Sequence, residues 1–297
     1  MRYTVKEIQK MKNTLIASSI ALALSTTAVL ADVSISGNAR MGLVHTDSNS
    51  NVDNETLLDS RVRFTLSGAG ATDNGLSFGA STRIDQSGQG GTANNDSTVF
   101  VARDGVKVTF GDVDSGAKSA VGNVAGVGYT GIGDNNEVGY LGNDDTGVAI
   151  AATAGAVALN VSLGQRQANS DDNTQGIGAS FDVAGVSVAA GYAEDGAVSQ
   201  QALGAGIEVA GIGLNAVYLD NDNHATVDAE MAVSASMAVS DVTLTGFYRE
   251  VENLTGANDT YTGVGVSYDL GAGAAMNGGV VDQDGTNRWD LGLNFNF

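Results

Sequence analysis

The sequence predicts an all-β chain, closed into a transmembrane antiparallel barrel of about sixteen strands. Three observations carry this. The last eleven residues, 287–297, place Trp289, Leu291, Leu293, Phe295 and Phe297 at alternate positions, with Asp290, Gly292, Asn294 and Asn296 between them. Successive strand side chains point to opposite faces, so this strand has one apolar and one polar face. At ~3.3 Å per residue it spans about 36 Å, and a tilt near 45° brings that to about 26 Å, close to the ~25 Å apolar band of an outer-membrane barrel. The same alternation recurs along the chain. The connections alternate between tight turns and long Asp/Asn/Gly-rich loops, as short periplasmic turns and long outer loops would.

Taken in order, Val33, Ile35, Ala39, Met41 and Leu43 interleave with Ser34, Ser36, Asn38, Arg40 and Gly42. A polar linker, 48–57, leads to Val62, Phe64 and Leu66, which alternate with Arg61, Arg63 and Thr65. After a turn at 68–74, Leu76, Phe78, Ala80, Thr82 and Ile84 alternate with Ser77, Gly79, Ser81 and Arg83. A Gly/Asn/Asp-rich linker covers 86–97. A strand at 98–103 turns at Asp104-Gly105, a strong hairpin dipeptide, into Val106, Val108 and Phe110. A long interruption, about 112–146, follows; a patternless segment of that length inside a compact chain is functional or a linker.

Alternation resumes with strands at 157–163, 177–183, 186–192, 203–209, 212–218, 227–239, 242–248, 264–270 and 274–280, before the terminal strand. Tight turns fall at Ala184-Gly185, Ala210-Gly211, Ser240-Asp241 and Gly271-Ala272. With both termini on the periplasmic side the strand number must be even. Closure also pairs every backbone group without leaving an edge in lipid. A wet lumen explains the polar half of each strand, including Asp228 and Glu230, which a dry core would not tolerate at low cost.

Composition narrows the compartment and the chemistry. The 297 residues include 41 Gly, no Cys, no Pro and only 16% charged residues, with a net charge of -20. The acidic balance excludes nucleic acid as a partner, which needs a basic face. Without Cys there are no disulfides, zinc–thiolate sites or thiol catalysis. Met11-Lys12-Asn13 is a short basic start, residues 15–30 are small and apolar, and Val29-Leu30-Ala31 suits a signal peptidase. Residues 1–31 therefore read as an upstream extension plus a cleaved secretory signal, and 32–297 as a single barrel domain. The mature chain keeps ten basic and 33 acidic residues, a charge of -23.

The segments SISGNARMGLV, SRVRFTLSGAGATDNGLSFGAS, VGYTGIGDNNEVGYLGNDD, SYDLGAGAAMNGGV and the terminal LGLNFNF, in that order, resemble the general diffusion porins of Gram-negative bacteria, in their Rhodobacter-type branch. The resemblance covers essentially the whole mature chain and is weakest in the outer loops between 165 and 260. It implies a sixteen-stranded, homotrimeric outer-membrane barrel, embedded in lipid and lipopolysaccharide, with the third outer loop folded into the lumen as a constriction. The interruption at 112–146 follows the fifth strand, where that loop belongs. The family also sets arginines against acidic residues of this loop.

Arg40, Arg61, Arg63 and Arg83 all fall on the polar face of the first three strands, four of the ten basic residues of the mature chain. They are the candidate basic wall. By resemblance, Asp112, Asp114, Asp134 and Glu137 are the candidates facing them, with Asp144 and Asp145 at the loop's exit. Trp289, Phe295 and Phe297 are candidates for the interfacial anchors of the closing strand. His45 and His224, the two histidines, have no neighbouring pattern that makes a catalytic triad.

No motif requires a cofactor. The Asp/Asn-rich stretches 47–53, 171–173 and 220–223 have hard oxygen ligands suited to Ca²⁺ but not the spacing of a defined calcium loop. The expected function is passive passage of small hydrophilic solutes and ions. A substrate-specific channel is the alternative, disfavoured because few aromatics other than Phe247 lie on polar faces. An exported calcium-binding adhesin is the third reading.

Overall fold

The computed structural model describes residues 32–47, 55–87, 92–142, 145–165 and 173–297. The leader, most of the first Asp/Asn-rich loop, Asp144 and most of the 166–173 loop lie outside the described residues. Sixteen strands form one closed antiparallel sheet in which each strand pairs with its sequence neighbours and the last pairs with the first. They are β1 (Asp32–Thr46), β2 (Glu55–Ala71), β3 (Ser77–Ser87), β4 (Thr92–Arg103), β5 (Val106–Val113), β6 (Asp145–Ala154), β7 (Val157–Gly164) and β8 (Gln175–Val183). The second half comprises β9 (Val186–Asp195), β10 (Val198–Val209), β11 (Ile212–Asp222), β12 (Val227–Val239), β13 (Val242–Asn253), β14 (Asp259–Gly271), β15 (Ala274–Gln283) and β16 (Thr286–Asn296). The one helix among the described residues, α1 (Gly116–Val121), lies in the connection from β5 to β6.

The inside/outside phase of the alternation is the expected one. Leu291, Val264, Leu203 and Val99 are each at least half exposed on the outer surface, as side chains bathed in lipid would be. Most buried residues belong instead to the 113–142 connection and to the inner wall beneath it, including Val121, Val127, Ile132, Val217, Leu219 and Phe247. The core of this barrel is thus the contact between one loop and one side of its own lumen.

Three details depart from the sequence reading. The expected linkers at 48–57 and 86–97 are shorter, because β2 begins at Glu55, β3 runs to Ser87 and β4 begins at Thr92. The interruption ends at β6, a strand of sequence DTGVAIAATA that begins inside it. Its small residues on both faces give too little contrast to announce a strand. The alternation of turn lengths is also not strict. The outer connections at Gly196-Ala197 and Asp284-Gly285 are as tight as the periplasmic ones. Asp284 and Gly285 both have positive φ, 49° and 83°, as do Asp104 and Gly105 at 51° and 80°, so both are turns of the type that matches strand twist.

The barrel closes through β1 and β16, with Arg40 opposite Asn294 and Leu43 opposite Leu291. Below the last paired residues, Gly37 and Phe297 exchange two backbone hydrogen bonds of 2.7 and 3.0 Å. The Phe297 ring packs against Phe64 of β2 at 5.7 Å between centroids.

Candidate functional site

The connection after β5 turns into the barrel. Ser115 caps α1, its hydroxyl accepting the Lys118 N–H at 3.1 Å. The helix lies flat on the inner face of β7 to β10. That approach requires glycine in the wall: a Cβ at Gly178 would fall 2.3 Å from the Gly116 carbonyl oxygen, and one at Gly191 2.6 Å from the Ala117 Cα.

Residues 122–142 then run across the wall and return. The outgoing and returning halves are tied together by Asn136 donating to the Val124 carbonyl (2.6 Å), the Val138 N–H to Asn123 Oδ1 (3.1 Å) and the Tyr140 hydroxyl to the Gly122 carbonyl (2.5 Å). Burial, and secondarily Glu230, pushes the Tyr140 phenol above its ordinary range, so it stays a donor.

Buried wall side chains stand in for the backbone partners this loop lacks. Asp290 of β16 accepts the Tyr129 and Thr130 N–H groups at 3.1 and 2.8 Å and the Thr130 hydroxyl at 2.6 Å. Glu230 of β12 accepts the Gly139 N–H at 3.2 Å and is paired with Arg249 of β13 at 2.8 Å. Gln200 of β10 accepts the Leu141 N–H at 3.1 Å and donates to the Gly139 carbonyl at 2.8 Å. Asp290, Glu230 and Gln200 are 2%, 6% and 1% exposed. Glu230 is therefore a clamp beneath the loop rather than a carboxylate facing open water. Asp228 on the same strand is exposed.

The four candidate arginines come together on the inner face of β1 to β3. Arg40 and Arg61 are directly opposite in the ladder, as are Arg63 and Asp85. Arg40 pairs with Asp59 at 3.0 Å and donates to the Thr130 carbonyl at 3.2 Å, with its guanidinium 5.9 Å from the Tyr129 ring centre. Arg63 grips Asp85 through two bonds of 2.8 Å. Arg83 pairs with Asp85 at 3.3 Å and with Asp96. The ion-pair partners are thus wall residues Asp59, Asp85 and Asp96, which the sequence reading did not single out.

The four candidate loop carboxylates separate into two groups. Asp112 ends β5 with outward phase, accepting the Ser97 N–H at 3.3 Å and the Thr146 hydroxyl at 3.5 Å. Asp114 pairs with Lys118 at 2.9 Å at the start of the helix. Neither makes an ion pair with the arginine wall. Asp134 and Glu137 lie on the turn of the inner loop, where they are exposed while Ile132, Asn135, Asn136 and Val138 are buried. Asp145 opens β6 opposite Val113.

On the closing strand, Trp289 stacks on His45 (5.3 Å, 18°), and Phe295 lies opposite Ala39 and Ala274. The His45 ring nitrogens contact the Thr56 hydroxyl at 2.7 Å and Asp47 at 3.0 Å, a surface role. His224 accepts the Val227 N–H at 3.0 Å in the turn before β12. Among the described residues no three acidic or histidine side chains cluster in a way that would hold a metal ion.

Comparison with known proteins agrees with this architecture. The Gram-negative porin family model matches residues 17–288. The chain is 31% identical to a porin of Rhodobacter capsulatus, over 90% of this chain and 100% of that protein. A porin of Fuscovulum blasticum is 32% identical over a shorter stretch of 87 residues, 28% of this chain and 30% of the relative. Among solved structures, an engineered mutant of the Rh. blastica porin superposes with a TM-score of 0.78 at 22% identity, covering 90% of this chain and 100% of that one, which speaks for the fold. With a closed sixteen-strand wall, a loop packed into its lumen and a family match over nearly the whole length, this chain belongs to the Gram-negative porins and forms a channel of the outer membrane.

Proposed function

We propose that this channel passes small hydrophilic solutes and ions by passive diffusion, without catalysis and without a resident cofactor. The filter is the gap between the arginine face of β1 to β3 and the exposed acidic turn of the inner loop, Asp134 and Glu137. One observation carries this reading: the loop is pressed onto the β7–β16 side of the lumen and touches the arginine face at Arg40, while Arg61, Arg63 and Arg83 occupy the side it leaves open. A residue exposed on a segment that lies against the inner wall points into the water-filled opening. Solutes would cross between walls of opposite sign, which orients dipoles and disfavours apolar molecules. Phe247, the aromatic offered for a sugar track, is 5% exposed beneath the loop, which favours diffusion over a substrate-specific channel. Planar-bilayer recording tests the reading. A large ohmic step that no single sugar saturates supports it, and saturation by one sugar or an absence of conductance overturns it.

The same reading includes a homotrimer in lipid and lipopolysaccharide. Tyr192, Tyr218, Tyr248 and Trp289 mark an outward aromatic girdle on β9 to β16, where ring and polar tip suit the lipid interface. The sequences of β2 to β7 contain no Tyr or Trp. Their outer face instead carries a hydrogen-bonded set, Thr82 with Ser97 (2.9 Å), Ser97 with Asp112, and Asp112 with Thr146. A face with polar side chains and no girdle suits contact with another copy better than lipid. Cross-linking of the membrane-embedded protein should give a three-step ladder.

A further inference from the structure

We propose that Arg61 is the anion-binding step of this channel, pairing in passing with the carboxylate or phosphate groups of solutes; the proposal rests on the diffusion reading above. The four arginines of the β1 to β3 wall are not equivalent. Arg40, Arg63 and Arg83 each hold a carboxylate on a neighbouring strand: Asp59 across β1–β2, Asp85 across β2–β3 and Asp96 across β3–β4. Among the described residues Arg61 contacts no carboxylate. Its Nη2 reaches Asn38 Oδ1 at 3.4 Å, long for an N–H···O bond.

Four guanidinium groups against three carboxylates leave one positive charge on this wall, and the contacts locate it at Arg61. Arg40 lies directly across the ladder from it and Arg63 two residues along, so arginines hem it in. Crowding does not discharge a guanidinium, which keeps its proton at any physiological pH. Its fork of N–H donors matches two oxygens of a carboxylate or phosphate and makes poor use of a spherical chloride. Selection here is by the shape of the anion as well as its charge. Having one such group, not four, also matters: a pore site must bind well enough to admit an ion and weakly enough to release it. The three wall aspartates convert a strongly basic wall into a single weak step.

The test adds inorganic phosphate to single channels of the full protein in KCl, at constant ionic strength. Mean current should fall with phosphate and saturate. Arg61→Gln should raise the half-saturating concentration roughly tenfold or more, the loss of a charged hydrogen-bond partner. Replacing Arg103→Gln together with Asp104→Asn deletes an exposed ion pair at the β4–β5 turn and leaves the net charge unchanged, and the phosphate effect should persist. The KCl conductance of each variant reports that its barrel has assembled. Saturation that survives Arg61→Gln, or that disappears in the charge-neutral double variant, overturns the assignment to Arg61. An unmodified protein that forms no channel overturns the diffusion reading itself, and the site with it.

Discussion

Asp290 spends its charge on backbone. It sits on the inner face of β16 and takes three donors from a turn 160 residues away in sequence. Replacing it with Leu strands two N–H groups and a hydroxyl in a buried place, at about 1–3 kcal/mol for each unsatisfied donor. The expected outcome for Asp290→Leu is a loop turn that leaves the wall, read as increased open-channel noise and as protease cleavage near residues 128–131. A quiet, resistant channel would mean that other contacts suffice. The next residue, Leu291, points outward and is half exposed. Leu291→Arg should cost about 2–4 kcal/mol near the bilayer midplane, while Ser267→Arg, on the lumenal phase of β14, should cost far less. Equal effects in an unfolding titration would contradict the phase assigned to these strands. Much of the arginine wall was legible at this scale, because phase and the scarcity of basic residues both single it out. Asp59, Asp85 and Asp96 share that lumenal surface but look like ordinary solvated acids in a chain with 34 of them. The role of Asp290 depends on a contact between remote segments, for which no local pattern exists.

At the scale of the element, the closing strand was the easiest to read and β6 the hardest, for one physical reason. Alternation is visible only where the two faces differ in size and polarity. β16 alternates Leu and Phe with Gly and Asn, while β6 is mostly Ala, Gly, Thr and Val. Removing Phe297 should impair assembly, because it takes away two backbone bonds to Gly37 and a ring packed on Phe64 at the seam. Outer-membrane fractionation should show a lower yield of the truncated protein, and a normal yield would count against this role. The inner loop was located in sequence by its length, but its course was not. That course depends on wall glycines, which elsewhere in the chain serve turns or simply fill small positions. Gly178→Val should displace α1 without preventing barrel closure, and so change conductance more than the resistance of the barrel to denaturation.

For the molecule as a whole, the charge of -23 carried by residues 32–297 is spread over many exposed positions. Charges far out on loops are screened over about 8 Å at physiological salt. The acidic mouths therefore concentrate cations modestly, while the wall of four arginines and three aspartates adds one opposing charge within. The expected result is a weak cation preference, seen as a small reversal potential in a low-salt gradient that shrinks as salt is raised. An anion preference in the unmodified protein would mean that positive charge within the lumen, at Arg61 and at Arg288 of β16, outweighs the acidic mouths. The inner loop also acts mechanically. It is anchored at Gln200, Glu230 and Asp290, on β10, β12 and β16, so it holds that side of the cylinder at a fixed curvature as a splint holds a curved panel. A wall braced from within cannot flatten or bulge at that height without stretching the brace. Warming should therefore not enlarge the opening by degrees: the size limit for solutes holds until the anchors release.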